Sequence, residues 1–159
     1  KEATQKVVAH DDGSISVTWR VPRVRRFPVI EPYFGADEPV DQLLDMRWYT
    51  PASISQRNTW MPRGAAANAV RVTIVTPHIV TPESPGRSHY FWTCEPDETS
   101  ERFARAVFDG EDKPMIEAVQ QRMGDADFWS LQPMILPGDR AAVRVRRRLD
   151  KLRRSEAQA

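Results

Sequence analysis

Three histidines, one cysteine and a short acidic run hold most of the chemistry available to this 159-residue chain. His78 and His89 flank the turn-forming stretch 82–86 almost symmetrically, so their spacing places them nearly opposite each other across a hairpin. Residues facing each other on paired strands lie about 5 Å apart. Two imidazoles at that distance can share a metal ion or grip an anion. The alternative is a hydrogen-bonded, half-buried pair, and spacing alone favours it. Glu111-Asp112-Lys113-Pro114 supplies carboxylates. One of them beside the histidines would complete a two-histidine, one-carboxylate set, which leaves open positions on a bound transition metal. Against this, Asp112 could simply cap a helix that starts near Pro114. His10 adjoins the Asp11-Asp12-Gly13 turn and is expected to be exposed. Cys94 has no His or Lys at a catalytic spacing and reads as a small buried thiol. The sequence contains no phosphate-binding loop, dinucleotide fingerprint or nucleophile elbow.

The elements that must position these residues can be read from periodicity. Residues 5–22 form a hairpin pattern, with Ile15, Val17, Trp19 and Val21 alternating with polar residues after the Asp-Asp-Gly turn. Four prolines between Pro22 and Pro39 make a long irregular crossing. It begins basic, with Arg20, Arg23, Arg25 and Arg26, and ends acidic, with Glu31, Asp37, Glu38, Asp41 and Asp45. Residues 44–50 and 53–61 read as two further strands, followed by a turn at Pro62-Arg63-Gly64. Residues 70–80 are rich in Val, Ile and Thr, as strands are, and residues 88–93 return as an aromatic strand. The pattern then changes. Phe103, Val107 and Phe108 recur at helical spacing, as do Met115, Ile116, Val119 and Met123. Pro114 lacks an N–H, so it must start, kink or divide that helical stretch. Asp139 is placed to cap a last helix with an apolar stripe of Ala142, Val145, Leu149 and Leu152. Strands followed by helices give an α+β class, with the last helix laid on one sheet face.

Composition excludes several functions. One cysteine rules out a disulfide framework, a Cys-rich zinc module or an all-cysteine iron–sulfur site within the chain. No apolar run approaches the ~20 residues a membrane span needs. With no visible signal peptide and a lone thiol, a cytoplasmic protein is expected. The C-terminal helix carries eight cations between Arg140 and Arg154, but the formal net charge is +1 and no nucleic-acid motif accompanies it. It reads as a solvated face whose cations suit a helix C-terminus, with the acidic segments 31–45 and 95–112 as its expected neighbours. No nucleic-acid role is expected.

From His78 onward, three segments match a known pattern: HIVTPESPGRSHYFW (78–92), EDKPMIEAVQQRM (111–123) and ILPGDRAAVRVRRRLDKL (135–152). They resemble the catalytic-domain end of Rieske non-haem iron aromatic oxygenases, in the branch of the vanillate O-demethylase oxygenase component and dicamba monooxygenase. DGSISVTW, FPVIEPYF and VDQLLDMRWYTPASI keep the family's order, so the resemblance spans roughly residues 5–154. It implies a helix-grip fold, a curved antiparallel sheet wrapped on a C-terminal helix. It also implies a mononuclear Fe(II) held by two histidines and an aspartate. The EDK-type motif assigns that aspartate to Asp112. The iron histidines of the family lie in a motif upstream of Lys1, so His78 and His89 are not the implied ligands. His78, Gln56 and Phe103 fall where the dicamba branch contacts substrate: the first two on a carboxylate, the third packed over the ring. No catalytic residue beyond these is assigned.

The resemblance makes residues 1–159 the C-terminal part of one catalytic domain. The Rieske domain with its [2Fe-2S] cluster and the iron histidines would belong to a parent of roughly twice this length or more. That parent would take electrons from NADH through a ferredoxin or reductase component, activate O2, act on a methoxylated aromatic acid such as vanillate, and assemble as a homotrimer. The alternative from a different class is a non-enzymatic helix-grip module that binds a small ligand.

Overall fold

The computed structural model describes residues 3–66, 69–84 and 86–158. Lys1 and Pro85, both singled out above, lie outside them. Six strands pair in chain order as a single antiparallel meander: β1 (Thr4–Ala9), β2 (Ile15–Val24), β3 (Val40–Tyr49), β4 (Ser53–Pro62), β5 (Val72–Ser84) and β6 (Arg87–Trp92). Helix α1 (Glu98–Arg105) runs through a wider π-helical segment, Ala106–Asp112, into α2 (Lys113–Met123), and α3 (Arg140–Glu156) follows. The α+β class read from the sequence is the class observed, and the arrangement is consistent with a helix-grip-type catalytic domain.

Strand alternation sorts the side chains onto two faces. The register puts Val17, Trp19, Leu44, Met46, Gln56, Asn58, Trp60, Ile74, Thr76, His78, Tyr90 and Trp92 on one face. The crossing, α1 and the π-helical segment pack on that inner face. Ile30 and Phe34 from the crossing pack on Val40 and Trp60 as the best-buried cluster, with Val24, Phe27, Val72 and Ile74 against it. Burial of these apolar groups away from water holds the crossing down.

A buried carboxylate fixes where the crossing begins. Asp41 is 5% exposed and accepts the backbone N–H groups of Arg23 and Gly64, each at 3.1 Å. Arg23 has φ +55°, a left-handed conformation uncommon outside glycine. It sits inside the register shift between Val21 and Val24, a bulge that turns β2 away from the sheet.

Two expectations about charge and capping are corrected. The acidic residues of 31–45 do not neighbour the basic α3: Glu38 pairs with Arg71 at 2.6 Å, and Asp41 lies 4.0 Å from Arg20. Among the described residues no α3 cation forms an ion pair. Arg144 donates to the Val7 carbonyl at 3.4 Å, and Arg146 lies 3.6 Å over the Phe128 ring. Asp139 does precede α3, but its carboxylate accepts the Leu136 N–H at 2.8 Å instead of capping the helix. The buried stripe of α3 starts at Ala141, with Ala142 exposed; Val145, Leu149 and Leu152 are half-buried as expected. Gln5 donates to the Gly138 carbonyl at 2.9 Å, which ties the start of α3 to the β1–β2 end of the sheet.

β5 also runs past its expected end. Pro82 was read as opening a turn, yet it pairs with Ser88 inside the hairpin. β4 stops pairing at Ser53–Ile79, so one side of β5 is an open edge by residue 82 and a missing N–H is tolerated there.

Candidate functional site

The sheet, the crossing and α1 enclose a cavity of about 280 Å³. Its walls are mostly apolar, from Phe27, Trp60, Ile74, Phe103, Val107 and Phe108, while Gln42, Gln56, Asn58 and Thr76 rise from the sheet floor. Phe27 stacks on Phe103 with centroids 4.7 Å apart and meets Trp60 edge-on at 5.6 Å. Gln42 Nε2 donates to Asn58 Oδ1 at 2.8 Å, which leaves the Gln56 amide outside that pair. Among the described residues no Lys or Arg lines the cavity, and Glu95 does.

Helix geometry brings the aromatic wall in. The Asp97 carboxylate accepts the Ser100 N–H at 2.9 Å and starts α1, and this hydrogen bonding holds its pKa below the usual aspartate value. Further along, Pro114 has no N–H to give its own turn. The Lys113 N–H reaches back to the Phe108 carbonyl, five residues away, and the helix widens instead of breaking. Pro114 therefore divides the stretch as expected, by a widened turn that places Phe108 against the sheet. Its ring meets His78 at 5.4 Å and Trp92 at 4.9 Å.

His78 follows Thr76 on the same sheet face, just beyond the cavity wall, and is 6% exposed. Its Nδ1 lies 2.6 Å from the Tyr90 hydroxyl, and its Nε2 is buried with no partner among the described residues. Burial lowers the pKa of His78, opposed by the Asp112 charge. Burial likewise raises the pKa of Tyr90, assisted by Asp112. The Asp112 carboxylate is thus close enough to act on both. It is half-buried at the end of the π segment and makes no capping hydrogen bond to α2. The capping alternative for Asp112 is not what the structure shows.

His89 does not join this group. The register pairs His78 with Trp92 and Thr81 with His89, three positions out of line, so the two imidazoles lie on opposite faces of the sheet. The His89 side chain is 59% exposed, with Nε2 4.0 Å from Glu83. Its displacement follows from where β5 turns: the hairpin is centred near residue 85, not between 83 and 84. His10 is half-buried and not exposed, with Nε2 2.9 Å from the Ser16 hydroxyl. Cys94 is half-buried and lines the cavity rim.

Gln56 and Phe103 thus line the cavity, His78 adjoins it, and Asp112 lies within electrostatic reach of His78. Sequence reasoning passed over Asn58, Thr76, Tyr90 and Phe27. The first two share strand parity with Gln56 and His78, so alternation could have found them. Phe27 lies in the aperiodic crossing, where no such signal exists. Among the described residues, no three His, Cys, Asp or Glu side chains come together as a metal site. These residues therefore do not by themselves hold a metal, although Asp112 presents a carboxylate free of hydrogen bonds from its own helix.

The antiparallel sheet, the crossing and the α1–π segment thus form a partly open, mainly apolar cavity with amides on its floor, the kind of concavity in which small ligands bind. Residues 1–155 match the family profile of the vanillate O-demethylase oxygenase C-terminal domain, and the chain belongs to that family, within the dicamba branch of Rieske-type non-haem iron oxygenases. The oxygenase component of chloroacetanilide N-alkylformylase from Rhizorhabdus wittichii (strain DC-6 / KACC 16600) is 37% identical over 132 residues, 74% of this chain and 37% of that protein. The oxygenase component of dicamba O-demethylase from Stenotrophomonas maltophilia is 28% identical over 163 residues, 96% of this chain and 48% of that protein. The crystal structure of dicamba monooxygenase bound to dicamba superposes with a TM-score of 0.80 at 26% identity, covering 99% of this chain and 48% of that one. The chain thus spans less than half the length of these relatives.

Proposed function

We propose that residues 1–159 are the C-terminal part of the catalytic domain of an oxygenase component that removes an O-methyl group from a methoxylated aromatic acid. The observation that carries this reading is the cavity: about 280 Å³, walled by the stacked Phe27 and Phe103, with the Gln56 amide on its floor. About 280 Å³ lies near the small end of ligand pockets, roughly 300–1,000 Å³. In this reading Phe103 packs over the ring, and His78 and Gln56 hold the carboxylate. Asp112 is one of three ligands to a mononuclear Fe(II), the two histidines coming from outside the described residues. When bound, that iron would supply O2 activation. Electrons would come from NADH through a reductase or ferredoxin component and a [2Fe-2S] Rieske cluster elsewhere in a homotrimeric parent.

Among the described residues the charged side chain lining the cavity is Glu95, not a cation, and with the amides of Gln42, Gln56 and Asn58 this favours a second reading: a neutral aryl amide that loses an N-alkyl group. The name of the chloroacetanilide relative points the same way. The test is turnover by the full-length parent with its reductase and NADH, offered a methoxybenzoic acid and an N-alkoxymethyl anilide in parallel. Formaldehyde with a phenol from the acid supports the first reading. Dealkylated anilide alone supports the second. Unaltered substrates overturn both.

A further inference from the structure

We propose that Tyr90 is a positioning residue that fixes the tautomer of His78, with Nδ1 accepting and the proton on the buried Nε2 beside the ligand cavity, so that a ligand reaching His78 is selected for an oxygen acceptor, carboxylate or amide carbonyl. The inference rests on the reading of His78 as a ligand-facing residue. Tyr90 pairs with Val80, and His78 with Trp92, so the two side chains are diagonal neighbours on one sheet face. Their rings lie nearly parallel, 15° apart with centroids at 5.8 Å, and Phe108 closes edge-on over both. The hydroxyl-to-Nδ1 distance of 2.6 Å is short for an O–H···N bond.

A neutral imidazole has one donor nitrogen and one acceptor. A phenol O–H is the more acidic of the two possible donors in this pair, so it donates to Nδ1 and the ring proton sits on Nε2. That nitrogen is buried without a partner. A buried donor left unpaired is unfavourable, and a ligand oxygen would relieve it. A protonated nitrogen has no lone pair to offer a metal, so His78 recognises the organic ligand and not a metal ion.

The test is long-range 1H–15N NMR of the full-length, 15N-histidine-labelled protein, with the His78 signals assigned by their loss in His78→Gln. The expected spectrum shows one tautomer, protonated at Nε2 and accepting at Nδ1. In Tyr90→Phe both ring nitrogens shift toward a mixture of tautomers, and the dissociation constant of methoxybenzoate rises roughly 3–10-fold. A matched anilide shows the same rise if an amide carbonyl is the acceptor. Protonation at Nδ1 in the unsubstituted protein overturns the proposal, and so do unchanged His78 nitrogens in Tyr90→Phe. If that variant fails to fold, the spectrum of the unsubstituted protein still decides. Should the Nε2–H tautomer be present while neither probe binds, the substrate reading falls and the role of Tyr90 stands.

Discussion

Gln56 and His78 are the two polar side chains proposed to hold the ligand carboxylate, and their settings differ. Gln56 is half-buried on the cavity floor, whereas the His78 imidazole is nearly sealed and held by Tyr90. Gln56→Leu keeps the volume and removes the donor, so it should weaken methoxybenzoate binding roughly 3–10-fold, measured by titration calorimetry. An unchanged affinity would remove Gln56 from the carboxylate contact. At this scale, Gln56, Phe103 and Asp112 were singled out through the family resemblance, not through period or parity, and the structure lines the cavity with the first two. Parity cannot survive a misplaced turn. Centring the β5–β6 turn about a residue and a half too early put His89 opposite His78, when it lies on the outer face.

Elements set the walls of the cavity, and two of them rest on single carboxylates. Asp41 satisfies the Arg23 N–H at the bulge that launches the crossing and the Gly64 N–H in the turn after β4. Asp41→Ala strands both donors and should destabilise the fold by roughly 2–4 kcal/mol in urea denaturation. Asp97 begins α1, and its folded pKa lies below the unfolded value of 3.8. The folded state therefore binds fewer protons than the unfolded one in that window. The contribution is fully present above pH 3.8 and is lost as pH falls through the lowered folded value. Amide exchange in α1 should accelerate across that range in the unsubstituted protein and show no such step from this group in Asp97→Asn. The strands, the helices and the break at Pro114 were all legible from period and breaker residues. The Asp41 anchor was not, because a carboxylate in an acidic run looks solvated until long-range folding brings backbone donors to it. The continuation of β5 through Pro82 was hidden for a similar reason, since only the sheet's layout reveals that β4 has already ended.

Among the described residues, α2 leaves an apolar face open. Met115, Ile116 and Val119 of α2 are 61%, 60% and 53% exposed, where the helical period predicted a core stripe. No described residue covers them, and large exposed apolar patches usually mark contact surfaces. The 159-residue chain expressed by itself should self-associate with rising concentration in sedimentation velocity, and Ile116→Lys with Val119→Glu should reduce that association. The period was read correctly; what period cannot show is whether an apolar helix face is covered. The segments these relatives share with this chain are 37% and 48% of their own lengths. The central claim is that this molecule contributes one carboxylate, Asp112, to an iron site completed elsewhere in the parent. Its most direct test is the iron content of the full-length protein carrying Asp112→Ala. The account predicts loss of the mononuclear iron with the Rieske absorption intact and the fold unchanged by circular dichroism. Undiminished mononuclear iron in that variant would contradict it.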